Sequence, residues 1–207
     1  MAHKEQVLVV ERKVFDELGS FQGLQFDVRR YLDRLFNPRT LRFMPRPLAE
    51  TDPGFKQLIP YVLMTCEGRY LTYVRGKRAG ETRLVGNRSM GIGGHINPID
   101  DAAPLFGDSR AMYETAVERE VTEEVEVQAG YKDHVVALLN DDSNEVGKVH
   151  LGVVHCWVLD APKVSRREQM ITQMEFMTVA NLREVRDQME TWSQLCLDGL
   201  HQIQAKL

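Results

Sequence analysis

The sequence predicts an α/β fold, and three observations predict it. Short apolar runs with strand-like alternation lie on both sides of one long segment with helical spacing. Turns rich in Gly, Asn and Asp join the strand runs in pairs. The chain then closes on two further helical segments. With 207 residues, 43% of them hydrophobic, it can bury a full core as one domain with additions.

Residues 6–10 alternate into a short strand, and residues 25–36 carry helical spacing through Phe26, Val28, Tyr31, Leu32 and Leu35, stopping at Asn37-Pro38. Pro38, Pro45, Pro47 and Pro53 punctuate residues 37–54, a stretch that reads as a boundary: residues 1–54 form an N-terminal extension and residues 55–207 the main domain. The Phe and Leu content of the extension suits packing on the core or on a partner subunit, so a homodimer is expected. Residues 58–65 and 70–75 read as a hairpin around Cys66-Glu67-Gly68-Arg69. An apolar run from Ser89 to Ile96 enters the glycine pair Gly93-Gly94, and a helix bearing Met112, Tyr113, Ala116 and Val117 comes next, with Gly130 as its stop. Residues 134–139 and 149–159 form a second hairpin, 175–179 a last short strand, and 182–189 and 192–207 the terminal helices.

Twenty-six Lys and Arg against 30 Asp and Glu give a net charge of −4, which provides no overall pull toward nucleic acid or an anionic membrane. Cys66, Cys156 and Cys196 lack metal-ligand spacing and lie in apolar stretches, as buried thiols in a reducing compartment do. No run of apolar residues approaches the length of a membrane span, and the first residues carry no apolar signal region, so a cytoplasmic location is expected.

Chemistry concentrates in Arg119-Glu120-Val121-Thr122-Glu123-Glu124. At about 100° per residue, Glu120, Glu123 and Glu124 fall within a wedge of roughly 100° that continues the apolar side of the helix. Three carboxylates at i, i+3 and i+4 repel one another, and near a helix C-terminus the macrodipole disfavours them further. A divalent cation reverses both penalties, and magnesium takes oxygen ligands of this kind. An exposed acidic face is the ordinary alternative for such a string.

Gly93-Gly94 followed by this helix resembles the Nudix hydrolase family, whose motif reads Gx5Ex7REUxEExGU with U aliphatic. Arg119, Glu120, Val121, Glu123, Glu124 and Val127 match the R, E, U, E, E and final U positions. The motif's later glycine is Glu126 here, and counting back from Arg119 puts its first glutamate at Ala111. Residues 97–108 read as an inserted loop, in which Asp100, Asp101 or Asp108 is a candidate for the lost carboxylate. The resemblance implies a Nudix-like α/β/α sandwich with a mixed β-sheet from about Phe55 onward, and a pyrophosphohydrolase that uses Mg2+ or Mn2+ on a nucleoside diphosphate-type substrate.

Carried onto this chain, the resemblance makes Glu120, Glu123 and Glu124 metal ligands, with Glu120 or Glu123 as a general base, and has Arg119 orient the cluster. Gly94 would offer its carbonyl to the metal, and Glu168 would be the later-loop acid that some members add, with Asp141, Asp142 and Glu145 as lesser alternatives. From its charge, the stretch containing Arg75, Lys77, Arg78 and Arg83 is a candidate for holding phosphate, and His95 is a third candidate substrate contact with Arg75 and Arg78. The competing reading is a Nudix-like nucleotide-binding or regulatory module without turnover, motivated by Ala111, Glu126 and the insertion.

Overall fold

The computed structural model describes residues 5–76, 86–100, 109–167 and 171–207. In chain order the elements are β1 (Gln6–Glu11), α1 (Arg12–Gly19), β2 (Gly23–Gln25), α2 (Val28–Leu35), β3 (Leu41–Pro45), α3 (Arg46–Ala49), β4 (Phe55–Cys66), β5 (Arg69–Arg75), β6 (Arg88–Ser89) and β7 (Gly91–Gly93). A 3-10 turn at Pro98–Asp100 precedes α4 (Ser109–Glu124). Then come β8 (Val125–Val127), β9 (Tyr131–Asn140), α5 (Glu145–Lys148), β10 (His150–Leu159), β11 (Val164–Arg166), β12 (Ile171–Thr178), α6 (Val179–Glu184), α7 (Thr191–Asp198) and α8 (Leu200–Gln204). The fold is α/β, as the sequence predicts. Among the described residues the large sheet has ten strands, with the path β12-β5-β4-β10-β9-β2.

The chain divides into two compact units, the first made of Met1–Pro60, Gly94–Arg119 and Ala137–Val153. Within it, β1 pairs antiparallel with β3 on one edge and with the start of β4 on the other, where Val9 faces Gln57 and Glu11 faces Phe55. Val7, Val9 and Ala49 are fully buried and packed by Met44 and Phe55. The N-terminal residues are thus built into the sheet. The proline-punctuated stretch is not an empty linker: Pro45 ends β3 and Pro47 sits in the first turn of α3, a place where a missing N–H costs nothing. Gln25, expected to open the helix, instead ends β2, which pairs with Leu138–Asn140 of β9, and α2 starts only at Val28. Strand pairing overrides helical spacing there.

Lys56 organises this unit. It is fully buried, and its ammonium donates to Asn140 Oδ1 at 2.6 Å, Asp142 Oδ1 at 2.7 Å, Gly147 O at 2.9 Å and His150 O at 3.3 Å. Burial pulls the Lys56 pKa down, opposed by Asp142. Burial likewise pushes the Asp142 carboxyl up, but hydrogen bonds from Lys56, Asn140 and Arg12 outweigh it and hold that carboxyl below its usual range. The backbone must come close to form this corner: a Cβ on Gly147 would lie 1.7 Å from the Asp141 carbonyl.

The second unit comprises Tyr61–Gly93, Glu120–Val136 and Val154–Leu207. Here β5 pairs with the end of β4, with β6 and with β12, while β7 lies on β4 with Tyr61 opposite Gly93. The expected hairpin at Glu67-Gly68 has positive φ at both turn residues, 51° and 72°, which matches the right-handed twist of its strands. β12 runs from Ile171, earlier than expected. Gly91 is required by contact: an added Cβ would sit 2.2 Å from the Tyr61 ring.

Candidate functional site

Helix α4 buries Met112, Tyr113, Ala116, Val117 and Val121. Glu120 and Glu124, four residues apart, stand on the same side and are half-buried, whereas Glu123 lies at the edge of that arc and is exposed. The acidic trio therefore continues the core-facing side with two members, not three.

Glu124 is half-buried, with its Oε2 shielded from solvent. Its charge reaches the buried Tyr73 and the half-buried Arg75 of the second unit. Burial, then the Glu124 charge, pushes the Tyr73 phenol well above its usual value, and that hydroxyl donates to Gly91 O at 3.0 Å. Arg75, which burial alone would lower, is raised by Tyr73, Glu190 and Glu124. Arg75 Nε donates to Glu190 Oε2 at 3.1 Å, so this candidate phosphate contact ends β5 in a part-buried ion pair. Glu190, 6% exposed, also accepts from Ser89 Oγ at 2.5 Å and Tyr61 OH at 3.2 Å, and precedes α7.

Directly after Glu124 the helix passes into β8, which pairs antiparallel with β11: Val125 faces Arg166 and Val127 faces Val164. Arg167 N donates to Glu124 O at 2.9 Å, and its guanidinium donates to Thr122 O at 3.0 Å. The chain just before Glu168 is thereby tied to the end of the acidic helix. Glu168 itself lies outside the described residues, as do Arg78, Lys77, Arg83, Asp101 and Asp108.

In the first unit, Arg119 donates from Nε to Asp100 Oδ1 at 2.6 Å and from Nη2 to Asp100 Oδ2 at 3.0 Å, a bidentate pair, and Nη2 also donates to His95 O at 2.9 Å. Asp100 is 1% exposed and also accepts from Asn97 N at 2.7 Å. Arg119 thus clasps the segment after the glycine pair to α4. Of the three candidate replacement acids, Asp100 is the one seen to hold Arg119. The sequence carried a signal for it: counting forward from Gly94, the acid of Gx5E falls on Asp100, and the insertion then lies entirely between that acid and Arg119. Counting back from Arg119 reached Ala111, an exposed helix position, because the insertion breaks the count.

His95 is half-buried with Nε2 shielded, and its ring centroid lies 5.7 Å from that of His150. Burial, then Arg46, His150 and Arg119, pull its pKa down to about 3, so His95 is neutral at physiological pH. The three cysteines are buried free thiols, and burial raises each one's pKa, as expected for packing residues. Asp141, Asp142 and Glu145 belong to the Lys56 corner and the α5 turn: Asp141 accepts from Gln22 and Ser143, Asp142 from Lys56, and Glu145 from Lys148.

Among the described residues, no group of three or more His, Cys, Asp or Glu side chains is gathered as a metal site. The kind of donor nevertheless fits a hard divalent cation, since Glu120, Glu123 and Glu124 are all carboxylates and two are drawn out of bulk water. No helix among the described residues is long and apolar enough to cross a membrane.

No family model matches the chain. It is 35% identical over 204 residues to protein YmaB of Bacillus subtilis strain 168, covering 95% of this chain and 97% of that protein. The crystal structure of Tm1382, a candidate Nudix hydrolase, superposes with a TM-score of 0.78 at 30% identity over 95% of this chain and 98% of that one. The NUDIX domain of Shewanella oneidensis NrtR, solved with ADP ribose, has the same fold at a TM-score of 0.53 and 13% identity, over 72% of this chain and 87% of that one.

Proposed function

The chain belongs to the Nudix hydrolase family, and from that premise we propose that it is a metal-dependent hydrolase of the diphosphate linkage in a nucleoside diphosphate-type substrate. The observation that carries the proposal is the half-burial of Glu120 and Glu124 on one side of the end of α4. Two like charges partly drawn out of water on one helix side repel one another, and a divalent cation relieves that repulsion.

In this reading Glu120, Glu123 and Glu124 hold Mg2+ or Mn2+, joined by the Gly94 carbonyl and by Glu168, whose preceding residue is bonded to the Glu124 carbonyl. When bound, such an ion neutralises charge on phosphoryl oxygens and lowers the pKa of a water. The protein's own groups do the rest. Glu120 or Glu123 is the general base that takes a proton from water, and the exposure of Glu123 at the edge of the acidic face supports its candidacy. Arg119 acts as a positioning residue through Asp100 and the His95 carbonyl. Arg75 acts through its field near Glu124, which leaves Arg78 and His95 as candidate direct substrate contacts. The alternative of a module without turnover drew on the acid missing at Ala111. Asp100 on Arg119 supports the hydrolase against the part of that argument drawn from Ala111, while Glu126 and the insertion remain its other grounds.

The test is turnover of a panel of nucleoside diphosphate compounds with and without Mg2+, read as released phosphate monoesters. We expect metal-dependent hydrolysis that Glu124→Gln abolishes while the circular dichroism spectrum is unchanged. Full activity in that variant would sink the site, and silence of the wild type across the panel would sink the hydrolase.

A further inference from the structure

Gln57 has no exposed surface, yet among the described residues neither its Nε2 nor its Oε1 has a hydrogen-bond partner. Burying an amide without partners is strongly unfavourable, so a native protein that keeps one there has a use for it. Two more shielded atoms in the first unit share the condition: His95 Nε2 and Asn97 Oδ1.

The backbone brings these residues to one corner. Gln57 N donates to Val149 O at 2.7 Å, and the next residue, His150, has its ring 5.7 Å from that of His95. On its other edge Gln57 faces Val9, and the neighbouring Leu8 N donates at 2.9 Å to the carbonyl of Ile96, which lies between His95 and Asn97. The cations near His95 are already matched: Arg46 by Glu5 and Glu50, Arg119 by Asp100. The corner therefore offers hydrogen bonds without excess positive charge, which suits an uncharged polar group and not a phosphate.

We propose that Gln57, with His95 and Asn97, forms a buried subsite for the base of the nucleotide, read through a planar edge that carries a donor beside an acceptor. A glutamine amide presents its own donor and acceptor in that arrangement and pairs with such an edge through two bonds. This rests on the reading of a nucleotide-type substrate and assigns its base-recognition residues. It also accounts for keeping an unpartnered amide in the core, since a binding group held ready for its ligand costs stability in the free protein.

The probes are AMP, GMP, CMP and UMP, with ribose 5-phosphate as the base-free control, titrated calorimetrically into wild type, Gln57→Met and His95→Phe. Wild type is expected to bind at least one nucleoside monophosphate about tenfold or more tighter than ribose 5-phosphate. Gln57→Met is expected to erase that preference, leave ribose 5-phosphate binding unchanged and not lower Tm; His95→Phe, at a half-exposed position, should weaken the preference in an independent background. The proposal is overturned if wild type binds none of the probes or shows no preference. It is equally overturned if Gln57→Met keeps the preference while losing Tm, the mark of an amide satisfied by buried water. A wild type that hydrolyses with metal but has no base preference loses the subsite alone; one with the preference but no turnover loses the hydrolase alone.

Discussion

The Lys56 corner and the end of α4 both draw charge out of water, and they do so with opposite logic. Around Lys56 the signs are mixed and each partner is in place: one ammonium, four oxygen acceptors, and Asp142 shared with Arg12. At the end of α4 two like charges, Glu120 and Glu124, are half-buried on one side of the helix. The first arrangement is what burial demands of a structural charge, and the second is what folding alone would avoid. The contrast separates a charge enclosed by opposite charge and hydrogen bonds from two like charges brought together on one helix side, which is where a divalent cation is proposed to sit.

Substitutions can break this comparison, and the largest effect is expected at the acidic end. Glu124→Gln should cut kcat on the order of a hundredfold or more, with urea unfolding little changed. Lys56→Met should do the reverse, lowering unfolding free energy by about 3 kcal/mol because four acceptors lose their donor, while turnover per folded molecule is kept. If Lys56→Met costs turnover and not stability, the contrast fails. Asp100→Asn lies between the two: with the Asp100 charge removed from Arg119, we expect about 2 kcal/mol of stability and about tenfold in turnover to be lost, with Asp100→Glu retaining more of both.

The smallest effect concerns acid. Because the Asp142 carboxyl is held below its ordinary value, its contribution is complete above about pH 4 and is lost as pH falls through the lower folded value. The stability gap between wild type and Asp142→Asn should therefore be constant near neutrality and narrow below about pH 4. A gap that widens on acidification would reverse the assigned sign.

Much of this was legible in the sequence, and what was not has identifiable causes. The Glu67-Gly68 hairpin, the glycine pair and the helix carrying Arg119 to Glu124 announce themselves through local turn chemistry and periodicity. β3 and α3 were hidden because Pro45 and Pro47 read as breakers, though one ends a strand and the other opens a helix. β2 was hidden because only its pairing with β9 makes it a strand. Lys56 and Gln57 look like the polar start of an edge strand. Their burial depends on residues far along the chain, such as Asn140 and Val149, which no local window contains. Asp100 was legible from one end of the motif and not from the other.

The clasp between Asp100 and Arg119 has a consequence for engineering. It joins the chain on either side of residues 101–108, so the pairing of the helix with the segment after the glycine pair is fixed at Asp100 and Arg119. Because added chain length raises the closure entropy only slowly, a change in the number of residues between Asp100 and α4 should cost little stability. That stretch is the natural place to graft a reporter or an affinity tag.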